Sequence, residues 1–257
     1  MKRGIILVLL PIFFLTLVSA TIMINQQPES AYSYGQVIEI PIKVVASTNL
    51  NNFLITELIC NGNIVEVSKD TVYLVAGQEK TQTYSIPLSD SFVQNSQGNC
   101  KIKFSIEGDT VVFTNDFTIS KSIILSIEPL KENYNPEEKI SVSGTAKKIT
   151  NQTVKGFINI KVSHPDLQTP IEINESISEG NFATEFSLPK EVKSRIYTIT
   201  LEVYEVGLSK EKTNTGFLSP QIRINQIPKS IELNLENSMI DPDTTQKASA
   251  ILYDQAG

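Results

Sequence analysis

Cys60, Cys100 and His164 carry the scarcest chemistry in this chain, which has two cysteines and one histidine in 257 residues. Two thiols and one distant imidazole do not supply the four closely spaced donors of a structural zinc site. An even cysteine count reads as a disulfide in an exported chain and as two buried thiols otherwise. A bridge between Cys60 and Cys100 closes a loop of roughly 40 residues and stabilises the fold by about 4 kcal/mol on the chain-entropy account. His164 sits in Ser163-His164-Pro165-Asp166, where proline and aspartate shape a turn. A general base needs a nucleophile and an orienting partner, and the spacing identifies neither. No catalytic residue, metal ligand or cofactor site is nominated, and the expectation is a protein that is not an enzyme.

The carboxylates tell the same story. Glu137-Glu138 and Asp241-Pro242-Asp243 fall where a chain turns, and calcium loops need more oxygen donors at regular spacing. The 12 glycines stand singly, so no phosphate-cradling loop is present. Two sequons, Asn151-Gln152-Thr153 and Asn174-Glu175-Ser176, lie in expected loops and mark sites for N-glycosylation.

The chain begins with the three parts of a secretory signal. Lys2 and Arg3 give a positive start, residues 5–18 are apolar apart from Pro11 and Thr16, and Val18-Ser19-Ala20 fits a signal peptidase. Cleavage is expected between Ala20 and Thr21, with an uncleaved signal anchor as the alternative. The apolar run falls short of the about 20 residues that span a bilayer, and Thr21 rather than cysteine rules out a lipidated N-terminus. The location implied is secreted or cell surface, with membrane attachment only through export or an anchor outside this chain. Losing Lys2 and Arg3 makes the chain two charges more acidic than its net −6. That acidity opposes phosphate backbones, and nucleic acid is not an expected partner. Lysine and arginine are scattered along the sequence, with no basic cluster.

The elements that must position these residues are strands. Val37-Ile38-Glu39-Ile40-Pro41-Ile42-Lys43-Val44, Lys101-Ile102-Lys103-Phe104-Ser105-Ile106, Phe157-Ile158-Asn159-Ile160-Lys161-Val162 and Tyr197-Thr198-Ile199-Thr200-Leu201-Glu202-Val203 alternate apolar and polar side chains. Period two means one buried and one wet face, as in antiparallel sheet. Many such short runs with Gly, Pro, Asn and Asp between them indicate sandwiches.

The pattern also repeats. Thr21-Ile22-Met23-Ile24, Ile123-Ile124-Leu125-Ser126-Ile127 and Ile231-Glu232-Leu233-Asn234-Leu235 open three units, each followed by a turn and a second strand. Tyr84-Ser85-Ile86-Pro87 and Phe186-Ser187-Leu188-Pro189 match in the middle of the first two. The spacing is roughly 100 residues, enough for one sheet pair to enclose a core. In this alignment Cys60 falls on Val162 and Cys100 on Tyr197, both apolar positions of alternating strands, so both sulfurs point inward.

On Tyr134-Asn135-Pro136-Glu137-Glu138-Lys139-Ile140-Ser141-Val142-Ser143-Gly144, on the run from Tyr197 to Val203, and on the closing Leu252-Tyr253-Asp254-Gln255-Ala256-Gly257, the chain resembles the tandem immunoglobulin-like and fibronectin-like repeats of archaeal and bacterial surface proteins. Macroglobulin-type domains open in a similar way. The chain differs from antibody domains in having no tryptophan. The resemblance implies an all-β protein of tandem immunoglobulin-like β-sandwich domains after an N-terminal signal peptide. The divisions expected are a signal peptide over 1–20, sandwiches over 21–120 and 121–218, and over 219–257 a linker with the incomplete start of a third. Such a start cannot close a core, so the tail is expected to pack loosely and the natural chain to continue past Gly257. The function implied is a non-enzymatic extracellular or cell-surface structural or adhesion protein whose partner is a component of the cell envelope. The alternatives are a glycan- or peptide-binding module, or the noncatalytic N-terminal part of a larger exported enzyme or macroglobulin-like protein.

Overall fold

In the computed structural model the alternating runs are strands, and strand accounts for 63% of residues against 2% helix, so the protein is all-β. The structure describes residues 19–257 apart from 166, 168, 208, 209, 237, 238, 240 and 244. Of the leader expected over 1–20, residues 1–18 lie outside them. Nine strands come first: β1 (Ala20–Ile24), β2 (Ala31–Ser33), β3 (Val37–Ala46), β4 (Leu50–Cys60), β5 (Asn63–Leu74), β6 (Glu79–Pro87), β7 (Gly98–Ile106), β8 (Val111–Phe113) and β9 (Phe117–Ser120), with a single turn of helix, α1 (Asp90–Val93), before β7. Nine more follow: β10 (Ile123–Ile127), β11 (Asn133–Tyr134), β12 (Lys139–Lys148), β13 (Gly156–Ser163), β14 (Ile171–Ile177), β15 (Asn181–Ser187), β16 (Ile196–Val206), β17 (Lys212–Leu218) and β18 (Gln221–Ile224). A hairpin of β19 (Pro228–Leu235) and β20 (Ala248–Asp254) closes the chain.

The two sets of nine have one topology. The first forms a three-stranded sheet β1-β3-β6 and a sheet β2-β9-β7-β4-β5 to which β8 adds on β7. The second forms β10-β12-β15 and β11-β18-β16-β13-β14, with β17 on β16. Every strand has its counterpart, including the short parallel pairings β2 with β9 and β11 with β18. By compactness the described residues divide into one unit of 19–30, 37–87 and 92–117 and another of 31–36, 88–91 and 118–257.

Alternation decides which side chains fill each core. In the second set, Ile140, Val142 and Phe186 of the smaller sheet meet Ile158, Ile160, Ile199, Leu201 and Val203 of the larger one in a single buried cluster. In the first set, Ile38, Ile40, Ile42 and Ile86 are fully buried on the smaller sheet, as are Leu58, Ile102 and Phe104 on the larger one. There the Tyr84 ring of β6 lies 5.4 Å from Phe104 of β7, and its phenol donates a 3.0 Å hydrogen bond to Asp70 Oδ2.

Burial first, then the charge of Asp70, hold the Tyr84 phenol well above its ordinary value of 10. Tyr34 is raised likewise by burial and Asp90. A raised folded value gives stability that is whole below the unfolded value and is lost as pH climbs through the folded one. Denaturation midpoints measured against pH should therefore fall above about pH 10. Tyr84→Phe should fall less steeply there, and equal slopes for the two proteins would contradict the assignment.

The stretch expected as a linker contains a strand. Ile222 and Ile224 of β18 are buried in the second core, and β18 pairs with β16 through Ile196↔Arg223 and Tyr197↔Ile222. Pro220 and Pro228 punctuate this four-residue strand at either side. The final hairpin repeats the opening of the two earlier sets rung for rung. Ile24↔Ile42 and Ile22↔Val44 correspond to Ile127↔Gly144 and Leu125↔Ala146, and these to Leu235↔Ala248 and Leu233↔Ala250. The face carrying Ile231, Leu233, Leu235 and Leu252 is exposed. Gln255 ties the hairpin down: it is buried, and its amide donates to the carbonyls of Val192 at 3.0 Å and Asn225 at 3.1 Å.

Candidate functional site

Ladder register brings together, at one end of the second sandwich, residues far apart in sequence. β13 ends at Ser163 opposite Thr198 of β16, and β16 begins at Ile196 opposite Arg223 of β18. The backbone N–H of Ile224 donates to the Arg195 carbonyl at 2.9 Å. His164, Arg195 and Arg223 therefore converge. With Ser194 and Ile196 they line a concavity of about 450 Å³. Arginine occurs elsewhere only at position 3, so every later arginine and the only histidine meet here.

The site rests on a buried tyrosine. Tyr197 is fully buried and donates from its hydroxyl to the Lys193 carbonyl at 3.0 Å. The His164 ring lies against it, centroids 4.8 Å apart. Ser194 Oγ donates to the Ile224 carbonyl at 2.9 Å, which commits that hydroxyl to the backbone. Arg195 and Arg223 are exposed, and among the described residues neither forms an ion pair with a carboxylate.

A second concavity of about 510 Å³ shares Ser194 and Arg195 and continues past Lys193, Gln226, Tyr253 and Asp254. Asp254 accepts from Gln226 Nε2 at 3.2 Å and from the Ala256 N–H at 2.9 Å. The result is a groove, cationic at one end and lined by amide, phenol and carboxylate groups at the other. Guanidinium groups pair with oxyanions through charge-assisted hydrogen bonds. The sequence pointed to a solvated His164 and to scattered basic residues. The convergence depends on the β16–β18 register, which composition does not contain.

The other residues singled out by sequence occupy structural places. Cys60 and Cys100 face each other directly across β4 and β7 and are disulfide-bonded, both buried. The ladder corrects their alignment. Leu58↔Ile102 and Cys60↔Cys100 in the first set answer to Ile160↔Leu201 and Val162↔Ile199 in the second, so Cys100 corresponds to Ile199 and not Tyr197. The connections between the middle and later strands differ in length, and α1 lies only in the first.

Glu137 has φ 63° and Glu138 accepts from the Asn135 N–H at 2.9 Å. That bond, then Lys131, lowers the Glu138 carboxyl below its ordinary range. Both are turn residues. Asn151 is exposed in a turn with φ 62°. Asn174 is not in a loop: it stands exposed on edge strand β14 and accepts from Asn159 Nδ2 at 2.7 Å. Ile171, Ile173 and Ile177 supply the alternation that makes this segment a strand. Among the described residues no three of His, Cys, Asp and Glu gather as a metal site, and no helix is long and apolar enough to cross a membrane. Ala20, at the expected cleavage bond, is fully buried in β1 opposite Ala46. Its N–H and that of Ser19 donate to Asp109 Oδ2 at 3.0 and 3.1 Å.

No protein-family model matches the chain, and no curated protein matches it. Among solved structures it is similar to the β-glucosidase from Listeria innocua, with 12% identity, 40% of this chain and 16% of the enzyme covered, and a TM-score of 0.33. It is also similar to the native conformation of E. coli alpha-2-macroglobulin, with 10% identity, 94% of this chain and 17% of that one covered, and a TM-score of 0.32. The chain spans less than a fifth of either protein.

Proposed function

We propose that this chain is a non-enzymatic, extracytoplasmic protein of tandem immunoglobulin-like modules, serving structure or adhesion at the cell surface. The observation that carries the reading is the strand-for-strand repetition of one two-sheet topology, with the same opening hairpin a third time. A module repeated in series sets spacing and presents loops at its ends, as immunoglobulin-like sandwiches do. Tyr197 supports the kinship: near the start of its strand, it bonds back to the Lys193 carbonyl as a tyrosine corner does. The disulfide suits an oxidising compartment, and the leader-like residues 1–20 suit the route there.

Leader removal at the bond between Ala20 and Thr21 withdraws Ser19 and Ala20 from Asp109. The function is tested by binding of the labelled, leaderless protein to isolated envelopes of the producing cells. Saturable retention displaced by unlabelled protein is expected. Retention no greater than that of an unrelated acidic protein of the same size would overturn the adhesive reading.

A further inference from the structure

We infer that the groove running from His164, Arg195 and Arg223 to Gln226 and Asp254 binds an acidic sugar, an oligosaccharide whose residues carry a carboxylate among neutral hydroxyls. The inference stands on the geometry of the second sandwich and does not require export. Arg195 directly precedes Ile196, the partner of Arg223, and both arginines line the one cavity. Two exposed guanidiniums in one cavity with a half-buried imidazole suit the planar oxygens of a carboxylate, which arginine takes with two parallel hydrogen bonds. The three share one cavity, and among the described residues its lining holds no acidic side chain. The adjoining cavity of about 510 Å³ has the size of a small-ligand site.

The second half of the groove selects among anions. Asp254 stands in its wall, already joined to Gln226, and a carboxylate there favours a ligand that brings neutral hydroxyls between its charges over one that has only charged side chains to offer it. The net charge of −6 opposes dense polyanions at longer range. A sugar hydroxyl instead donates to Asp254 and accepts from Gln226, while the Tyr253 hydroxyl is committed to Glu232 Oε2 at 2.8 Å. An acidic peptide would bring side chains that find little apolar wall in this half.

The probe is trigalacturonic acid, titrated into the purified chain by calorimetry at low salt and set against neutral galactotriose and pentaglutamate. Trigalacturonate should bind at least about tenfold more tightly than either, and raising the salt should weaken it. Arg195→Gln and Arg223→Gln should each weaken binding by about tenfold or more, as expected for loss of a charge-assisted pair. Arg195→Lys and Arg223→Lys, which keep the charge and lose the fork, should fall between. The arginines are exposed, so melting temperatures of all four variants should match the parent, and the lysine variants serve if a glutamine variant does not fold. No binding of trigalacturonate, binding that the glutamine variants leave intact, or equal binding of pentaglutamate would each overturn the inference.

Discussion

Glu205→Ala is expected to destabilise the second sandwich by about 3–5 kcal/mol, the usual cost of breaking a buried pair from one side. Lys148 Nζ lies 3.0 Å from Glu205 Oε2, and the two side chains are only 13% and 12% exposed. The same carboxylate accepts from Asn214 Nδ2 at 2.6 Å and from the Lys155 N–H at 3.2 Å, and Asn214 is itself buried. Removing it strands an ammonium and two further donors at once. The penalty lies mainly in the unpaired Lys148 charge, so Lys148→Met combined with Glu205→Gln should recover most of the loss. The glutamine keeps an acceptor for Asn214 and Lys155, and the methionine needs none. The chain has no tryptophan, so urea unfolding is best followed by far-ultraviolet circular dichroism. A cost below about 1 kcal/mol for Glu205→Ala would mean that the pair behaves as an exposed one.

Loss of the bridge between Cys60 and Cys100 should be as costly and confined to the first sandwich. The bridge closes 40 residues of chain, and a loop of that length is worth about 4 kcal/mol through restriction of the unfolded state. Reduction should lower the melting temperature of the first sandwich and leave that of the second unchanged. Cys60→Val with Cys100→Ile, the pair that the second sandwich uses at Val162 and Ile199, should keep the packing and lose only the cross-link. Equal melting with and without reductant would show that the bridge contributes nothing.

Much of this architecture was legible in the sequence because period-two alternation is local. The runs at 37–44, 101–106, 157–162 and 197–203 are strands with their apolar side chains inward, and three matching openings announce three matching hairpins. What was not legible is pairing. Cys100 was set against Tyr197 by counting residues, whereas the ladder sets it against Ile199. β18 hid between prolines, and Asn174 hid in an edge strand with a single apolar stripe. The arginine site failed to show for the same reason, since Arg195 and Arg223 become neighbours only once β16 and β18 are in register. The Lys148–Glu205 pair likewise joins strands β12 and β16 from the two sheets of one sandwich.

The claim at the centre of this account is that the modules work outside the cytoplasm, and the mass of the protein recovered from the surface or medium of producing cells tests it most directly. The measurement is made on intact cells treated with a protease or gentle detergent, before and after reduction with alkylation. A chain lacking the leader, taking up alkylating agent at Cys60 and Cys100 only after reduction, is the result expected. A chain that still begins at Met1, is found only in the cytosol and is alkylated at both cysteines without reduction would contradict it.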